Sequence, residues 1–129
     1  MEKEEREKLS SRIIGACIEV HKELGPGLVE PVYEYCVLDE LHRQGMNAKN
    51  QVSLPIFYKG KKLNKYFNVD ILVENEIILE LKAVEIILPI HEEQLLTYLK
   101  LSNKRLGLLI NFNVVLLKDG IRRRINGFD

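Results

Sequence analysis

Asp70, Glu80 and Lys82 stand ten and then two residues apart, inside a stretch that otherwise alternates in hydropathy. From Phe67 to Val73 every second residue is apolar (Phe67, Val69, Ile71, Val73), which leaves Asn68, Asp70 and Leu72 for the other face. From Ile77 to Ala83 the apolar set is Ile77, Leu79, Leu81 and Ala83, and the opposite face carries Ile78, Glu80 and Lys82. Strand side chains alternate with period two, so the two segments read as a hairpin joined by Glu74-Asn75-Glu76. Both apolar faces must lie on one side, because a one-residue slip would send a whole set into water. A three-residue loop meets that condition by pairing Val73 with Ile77, and it sets Asp70 directly across from Glu80. Cβ atoms at opposed positions lie about 4.5–5.5 Å apart, where like charges repel. A divalent cation turns that repulsion into ligation by hard oxygens, with the Lys82 ammonium on the same side. Such a trio binds a metal beside a fixed cation. Acid pairs with a lysine also occur on solvated sheet faces, and the wholly apolar reverse faces are what argue for a built site.

Other residues could join this chemistry. Glu30 and Tyr33 lie one helical turn apart and share a face, directly after Gly25-Pro26-Gly27. The plain alternative makes Glu30 an acid favourably placed at a helix N-terminus and Tyr33 a core aromatic. Gln94 and Tyr98 form a polar stripe on a later helix beside Leu95, Leu96 and Leu99, placed to aim at a metal or a phosphate. Lys59, Lys61, Lys62 and Lys65, interleaved with Tyr58 and Tyr66, make one local basic patch, and Arg122-Arg123-Arg124 make another. Both suit phosphate contacts, although such runs are more often solvated turns. His21 reads as a satisfied, partly buried histidine, and no zinc spacing or serine or cysteine nucleophile motif is present.

The elements that must position these groups follow from periodicity and breakers. Helices are expected over about Glu4–Leu24, Glu30–Gln44 and Ile90–Leu101, with Gly-Pro-Gly ending the first and Gly45 the second. Strands are expected over Gln51–Tyr58, then the two described above, then Arg105–Phe112 and Val114–Lys118. Lys59 to Lys62 reads as a turn. Asp119-Gly120 reads as a hairpin turn before a short return strand, Ile121–Ile125. Pro55 marks its strand as an edge or an irregular one. With 129 residues, 46% hydrophobic and 29% charged, the chain suits one α/β domain over 1–129 with a central mixed sheet flanked by helices, residues 1–8 fraying. Zero formal net charge argues against attachment to nucleic acid by global charge. Cys17 and Cys36 read as reduced, buried thiols, and with no secretory or membrane-spanning signal the expected location is the cytoplasm.

Taken in order, these segments resemble the PD-(D/E)XK nuclease superfamily, and within it the bacterial GxxExxY family. The residues that carry the resemblance are Gly27-Leu28-Val29-Glu30-Pro31-Val32-Tyr33, Glu80-Leu81-Lys82-Ala83, Gln94-Leu95-Leu96-Thr97-Tyr98-Leu99 and Gly107 to Phe112. It spans about residues 13–127. Asn68 is a departure, since members often carry arginine two residues before the aspartate. The resemblance implies a restriction-endonuclease-like core and Mg²⁺- or Mn²⁺-dependent hydrolysis of phosphodiester bonds, DNA first and RNA left open. Asp70, Glu80, Glu30 and the Leu81 backbone carbonyl would hold the metal. Lys82 would orient water and stabilise charge, Gln94 would position phosphate or water, and Tyr98 and Tyr33 would support them. A homodimer would suit cutting both strands. The rival reading is a catalytically silent nucleic-acid-binding or assembly module that keeps the fold.

Overall fold

A computed structural model describes residues 1–127. In chain order it contains α1 (Lys3–Leu24), α2 (Glu30–Arg43), β1 (Ala48–Tyr58), β2 (Lys61–Val73), β3 (Ile77–Lys82), α3 (Pro89–Ser102), β4 (Leu106–Asn111), a 3₁₀ turn (Leu117–Gly120) and β5 (Ile121–Ile125). The five strands form one mixed sheet in sequence order. Only β3 and β4 are parallel, and the crossover between them is α3. None of the described helices is long and apolar enough to cross a membrane.

Two cores cover the two faces of the sheet. On one side Ile13, Cys17 and Val20 of α1 and Tyr33, Val37 and Leu41 of α2 pack on Ile71, Val73, Ile77, Leu79, Leu81, Leu106, Leu108 and Ile110. On the other, Leu95 and Leu99 of α3 pack on Phe67, Val69, Leu72, Ile78 and Leu109. Gly107 lets α3 come close: a Cβ there would meet Leu95 Cδ1 at 2.6 Å. Burial pushes the Cys17 thiol up to about 12, and both cysteines are free.

The hairpin register is the one argued from hydropathy, with Val73 opposite Ile77 and Ile71 opposite Leu79. The single apolar face expected for Phe67–Val73 is not found. Phe67 and Val69 belong to the α3 side, Ile71 and Val73 to the other, so the faces exchange at Asp70. Across the ladder, Gln51, between the partners of Ile71 and Val69, has a left-handed backbone (φ 49°) at the same point. β1 is an edge strand with an irregularity between Pro55 and Phe57, as Pro55 suggested. The expected turn at Lys59–Lys62 is tighter, since Lys61 and Lys62 already pair in β2.

The strand expected at Val114–Lys118 does not form. His21 Nε2 is 3.2 Å from the Phe112 carbonyl and 2.9 Å from that of Val114, so α1 takes the acceptors a ladder would need. Asp119-Gly120 accordingly lies in the 3₁₀ turn, not in a hairpin turn, and β5 returns beside β4 with Ile121 opposite Ile110. The N-terminal residues expected to fray are helical from Lys3, with the Arg6 guanidinium bonded to the Met1 carbonyl at 3.1 Å.

Candidate active site

β2 and β3 pair only from Ile71 to Val73 and part company at Asp70. At that point acid side chains replace the ladder. Glu80 Oε2 accepts the Asp70 backbone N–H at 2.8 Å, and Asp70 Oδ2 accepts the Leu81 N–H at 2.8 Å. Each carboxylate thus takes a donor from the opposite strand, and the two are locked face to face. Their other oxygens, Asp70 Oδ1 and Glu80 Oε1, accept no hydrogen bond from any described residue.

This geometry sets the electrostatics. Glu80 is 5% exposed, and burial, then the Asp70 charge, push its carboxyl up to about 8, with the Asp70 N–H and Lys82 opposing more weakly. Burial also raises Asp70, against the Leu81 N–H and Lys82 and with the charges of Glu34 and Glu30. Lys82 is half-buried on the same strand and draws both acids toward ionisation. Tyr98 is raised first by burial and then by Glu80 and Asp70. Its ring stacks on Phe67 at 4.8 Å, which ties α3 to the strand carrying Asp70.

Glu30 reaches the end of β3 differently. Its Oε2 lies 3.4 Å from the Ala83 N–H, a long contact just past Lys82. Tyr33, buried and stacked on Phe112 at 4.5 Å, donates to the Gly25 carbonyl (2.6 Å) and accepts from the Leu28 N–H (3.1 Å). It fixes the loop in which Gly25 and Gly27 have φ of 70° and 98°, and so fixes where α2 begins. The Gln94 side chain is exposed and makes no hydrogen bond to a described residue. Asn68 is bonded to Ser53 at 2.6 Å. Asp70 and Glu80 therefore meet, Lys82 and Tyr98 lie within electrostatic reach of both, and Gln94 lies at the surface of α3.

Two residues escaped the sequence reading. Glu34, one turn beyond Glu30, acts on both central acids and is held by the side chains of Asn50 (3.1 Å) and Gln51 (2.8 Å). Its spacing from Glu30 was the available signal. Asn111, opposite Lys82 in the parallel ladder, is buried and exchanges hydrogen bonds with the Val84 N–H (3.0 Å) and carbonyl (2.8 Å). A polar residue closing the apolar run Leu106–Ile110 was its signal.

Among the described residues, no group of three or more His, Cys, Asp or Glu side chains could hold a metal ion. A pair of carboxylates with one uncommitted oxygen each nevertheless suits Mg²⁺, which keeps several waters and is held by one or two carboxylates together with substrate phosphates.

Residues 7–124 match the family model of the PD-(D/E)XK nuclease superfamily. Among solved structures the crystal structure of SSO0001 is similar, at 22% identity and a TM-score of 0.51. The match covers 77% of this chain and 51% of that one, so the chain spans about half the length of that protein. Likeness at this identity speaks for the fold alone. No curated protein matches. With acid, acid and lysine at the parting of β2 and β3 and the family match running over nearly the whole sequence, the chain belongs to the PD-(D/E)XK nuclease superfamily.

Proposed function

We propose that this protein is a Mg²⁺- or Mn²⁺-dependent nuclease that hydrolyses phosphodiester bonds of DNA, and that it is a member of the GxxExxY family. The observation that supports the activity most directly is the reciprocal lock of Asp70 and Glu80 beside Lys82. It sets a buried and a half-buried acid against one another with one oxygen of each left uncommitted.

A divalent ion bound there would lower the pKa of water and neutralise charge on the scissile phosphate. Asp70 and Glu80 would hold it, with the Leu81 carbonyl as a further candidate. Burial and the Asp70 charge favour the protonated form of Glu80, and ligation of a cation would favour release of that proton. Lys82 cannot ligate while protonated. Its ammonium orients the attacking water and stabilises negative charge developing on the phosphate. Glu30 holds the β3 exit through Ala83 and adds negative charge near Asp70. Tyr98 supports the acids from α3, and Gln94, at the surface, would act only on bound substrate.

The test is a cleavage screen on single- and double-stranded DNA and RNA with Mg²⁺ and Mn²⁺, using Glu80→Ala as control. Metal-dependent cleavage of DNA that Glu80→Ala abolishes supports the assignment. Tight nucleic-acid binding with no cleavage under either metal would make the protein a silent binding module.

A further inference from the structure

The two basic clusters carry charge of one sign, yet the fold uses them differently. Arg123 is paired with Glu7 of α1, and Arg124 lies 3.9 Å from Glu92 and 3.5 Å from Glu93 of α3. Arg122 donates to the backbone carbonyls of Asp119 and Ile121. All three are committed to holding β5. The side chains of Lys59, Lys61, Lys62 and Lys65 are exposed and enter no ion pair or hydrogen bond with a described residue. The Lys59 ammonium lies 5.5 Å from the centre of the Tyr58 ring.

The same arm exposes aromatic rings. Phe57 is 49% exposed, Tyr58 61% and Tyr66 54%, while the ring that anchors the arm, Phe67, is buried against Tyr98. Facing residues share a side of the two-stranded ribbon, so Phe57 lies with Lys62 on one face and Tyr58 with Lys61 on the other, and each face sets an exposed ring beside an unneutralised ammonium group. The arm is also continuous with the acids. β2 runs from Lys61 through Tyr66 to Asp70, so at roughly 3.3 Å per residue Tyr66 lies about 13 Å, and Lys61 about 30 Å, along the strand from Asp70.

Lysines alone would suit any polyanion, and the rings narrow the choice. Bases in a duplex have both faces covered by their neighbours, whereas bases of an unpaired strand can stack on aromatic side chains. We propose that the β1–β2 arm is a platform for an unpaired DNA strand that passes over both of its faces, with the exposed rings of Phe57, Tyr58 and Tyr66 stacking bases and the four lysines meeting phosphates, and that it leads the strand to Asp70 and Glu80. This names the substrate class of the site described above and rests on the nuclease reading.

The test measures fluorescence anisotropy of labelled oligo-dT, a DNA duplex of the same length and oligo-U, with the full chain in EDTA so that no turnover occurs. Oligo-dT should bind more tightly than the duplex. Replacing both tyrosines (Tyr58→Ala, Tyr66→Ala) should weaken oligo-dT binding by roughly 5- to 150-fold for each base that loses its ring, and Tyr58→Phe with Tyr66→Phe should restore it. Changing all four lysines to glutamine should flatten the salt dependence by about 0.7 in log–log slope per lost phosphate contact. Alanine variants that bind oligo-dT like the parent, or a duplex bound at least as tightly as oligo-dT, overturn the platform. Tighter binding of oligo-U overturns its assignment to DNA. A cleavage arm with Mn²⁺ separates the two readings. A parent that cleaves DNA while the tyrosine variants bind normally keeps the nuclease and loses the platform. Tyrosine-dependent binding of oligo-dT with no cleavage keeps the platform and loses the nuclease.

Discussion

At the scale of single residues, Lys82 and Glu80 make opposite predictions about metal and catalysis. Lys82→Met keeps the apolar stem, removes a cation next to the acids and should leave Mn²⁺ affinity at least equal to the parent's. Cleavage should fall by about 10²–10³-fold, the usual loss for one preorganised electrostatic group. Calorimetry paired with cleavage rates checks both, and a parental rate in Lys82→Met would sink the mechanism. For Glu80, the folded protein holds the proton up to about 8, whereas an unfolded glutamate releases it near about 4.3. Between those limits the folded state binds more protons, so its stability falls as pH rises, and Asp70 is displaced in the same direction. Metal-free melting temperatures should therefore decline from about pH 5 to pH 8, and Glu80→Gln, which stays neutral, should flatten that decline. If the variant and the parent show the same slope, Glu80 is not the titrating acid.

At the scale of elements, close packing of backbone against neighbours decides where the site sits. A Cβ at Gly107 would meet the side chain of Leu95, while one at Gly120 would meet the Asn111 backbone carbonyl at 2.2 Å. Gly107→Ala should destabilise by about 1–3 kcal/mol, the range for overpacking a core. Gly120→Ala should cost more, since backbone cannot swing aside as a leucine can, and it should also disturb Asn111, the partner of Lys82 in the ladder. Denaturant melts rank the two. Elements were legible in the sequence where one period held. β3 kept its alternation throughout, and with it came the register and the Asp70–Glu80 encounter. β2 breaks its alternation at Asp70, opposite the left-handed Gln51, and no local propensity announces that. The missing strand at Val114 depends on His21, far back in the chain, capturing two carbonyls. Glu34 stayed hidden because its relation to Asp70 runs across α2 and the sheet, whereas Glu80 and Lys82 share a strand.

At the scale of the whole molecule, zero net charge conceals a division of labour: arginines close the fold and lysines stay free on the arm. Metal binding should register as a global property. A ligand that binds only the folded state stabilises by about 2.7 kcal/mol at a hundredfold excess over Kd, so Mn²⁺ should raise the melting temperature of the parent and much less that of Asp70→Asn. An unchanged melting temperature at millimolar metal would remove Asp70 and Glu80 from the metal site. β5 has a consequence of another kind. Its Arg123 reaches α1 and its Arg124 reaches α3, so adjacent residues of the last strand clasp the helical layers on opposite faces of the sheet. The partner of Glu7 lies 116 residues downstream. During synthesis on the ribosome the first helix must wait for almost all of this sequence to emerge before the clasp can shut. Until β5 is in place, β4 presents an unpaired row of backbone N–H and C=O groups to whatever the nascent chain meets.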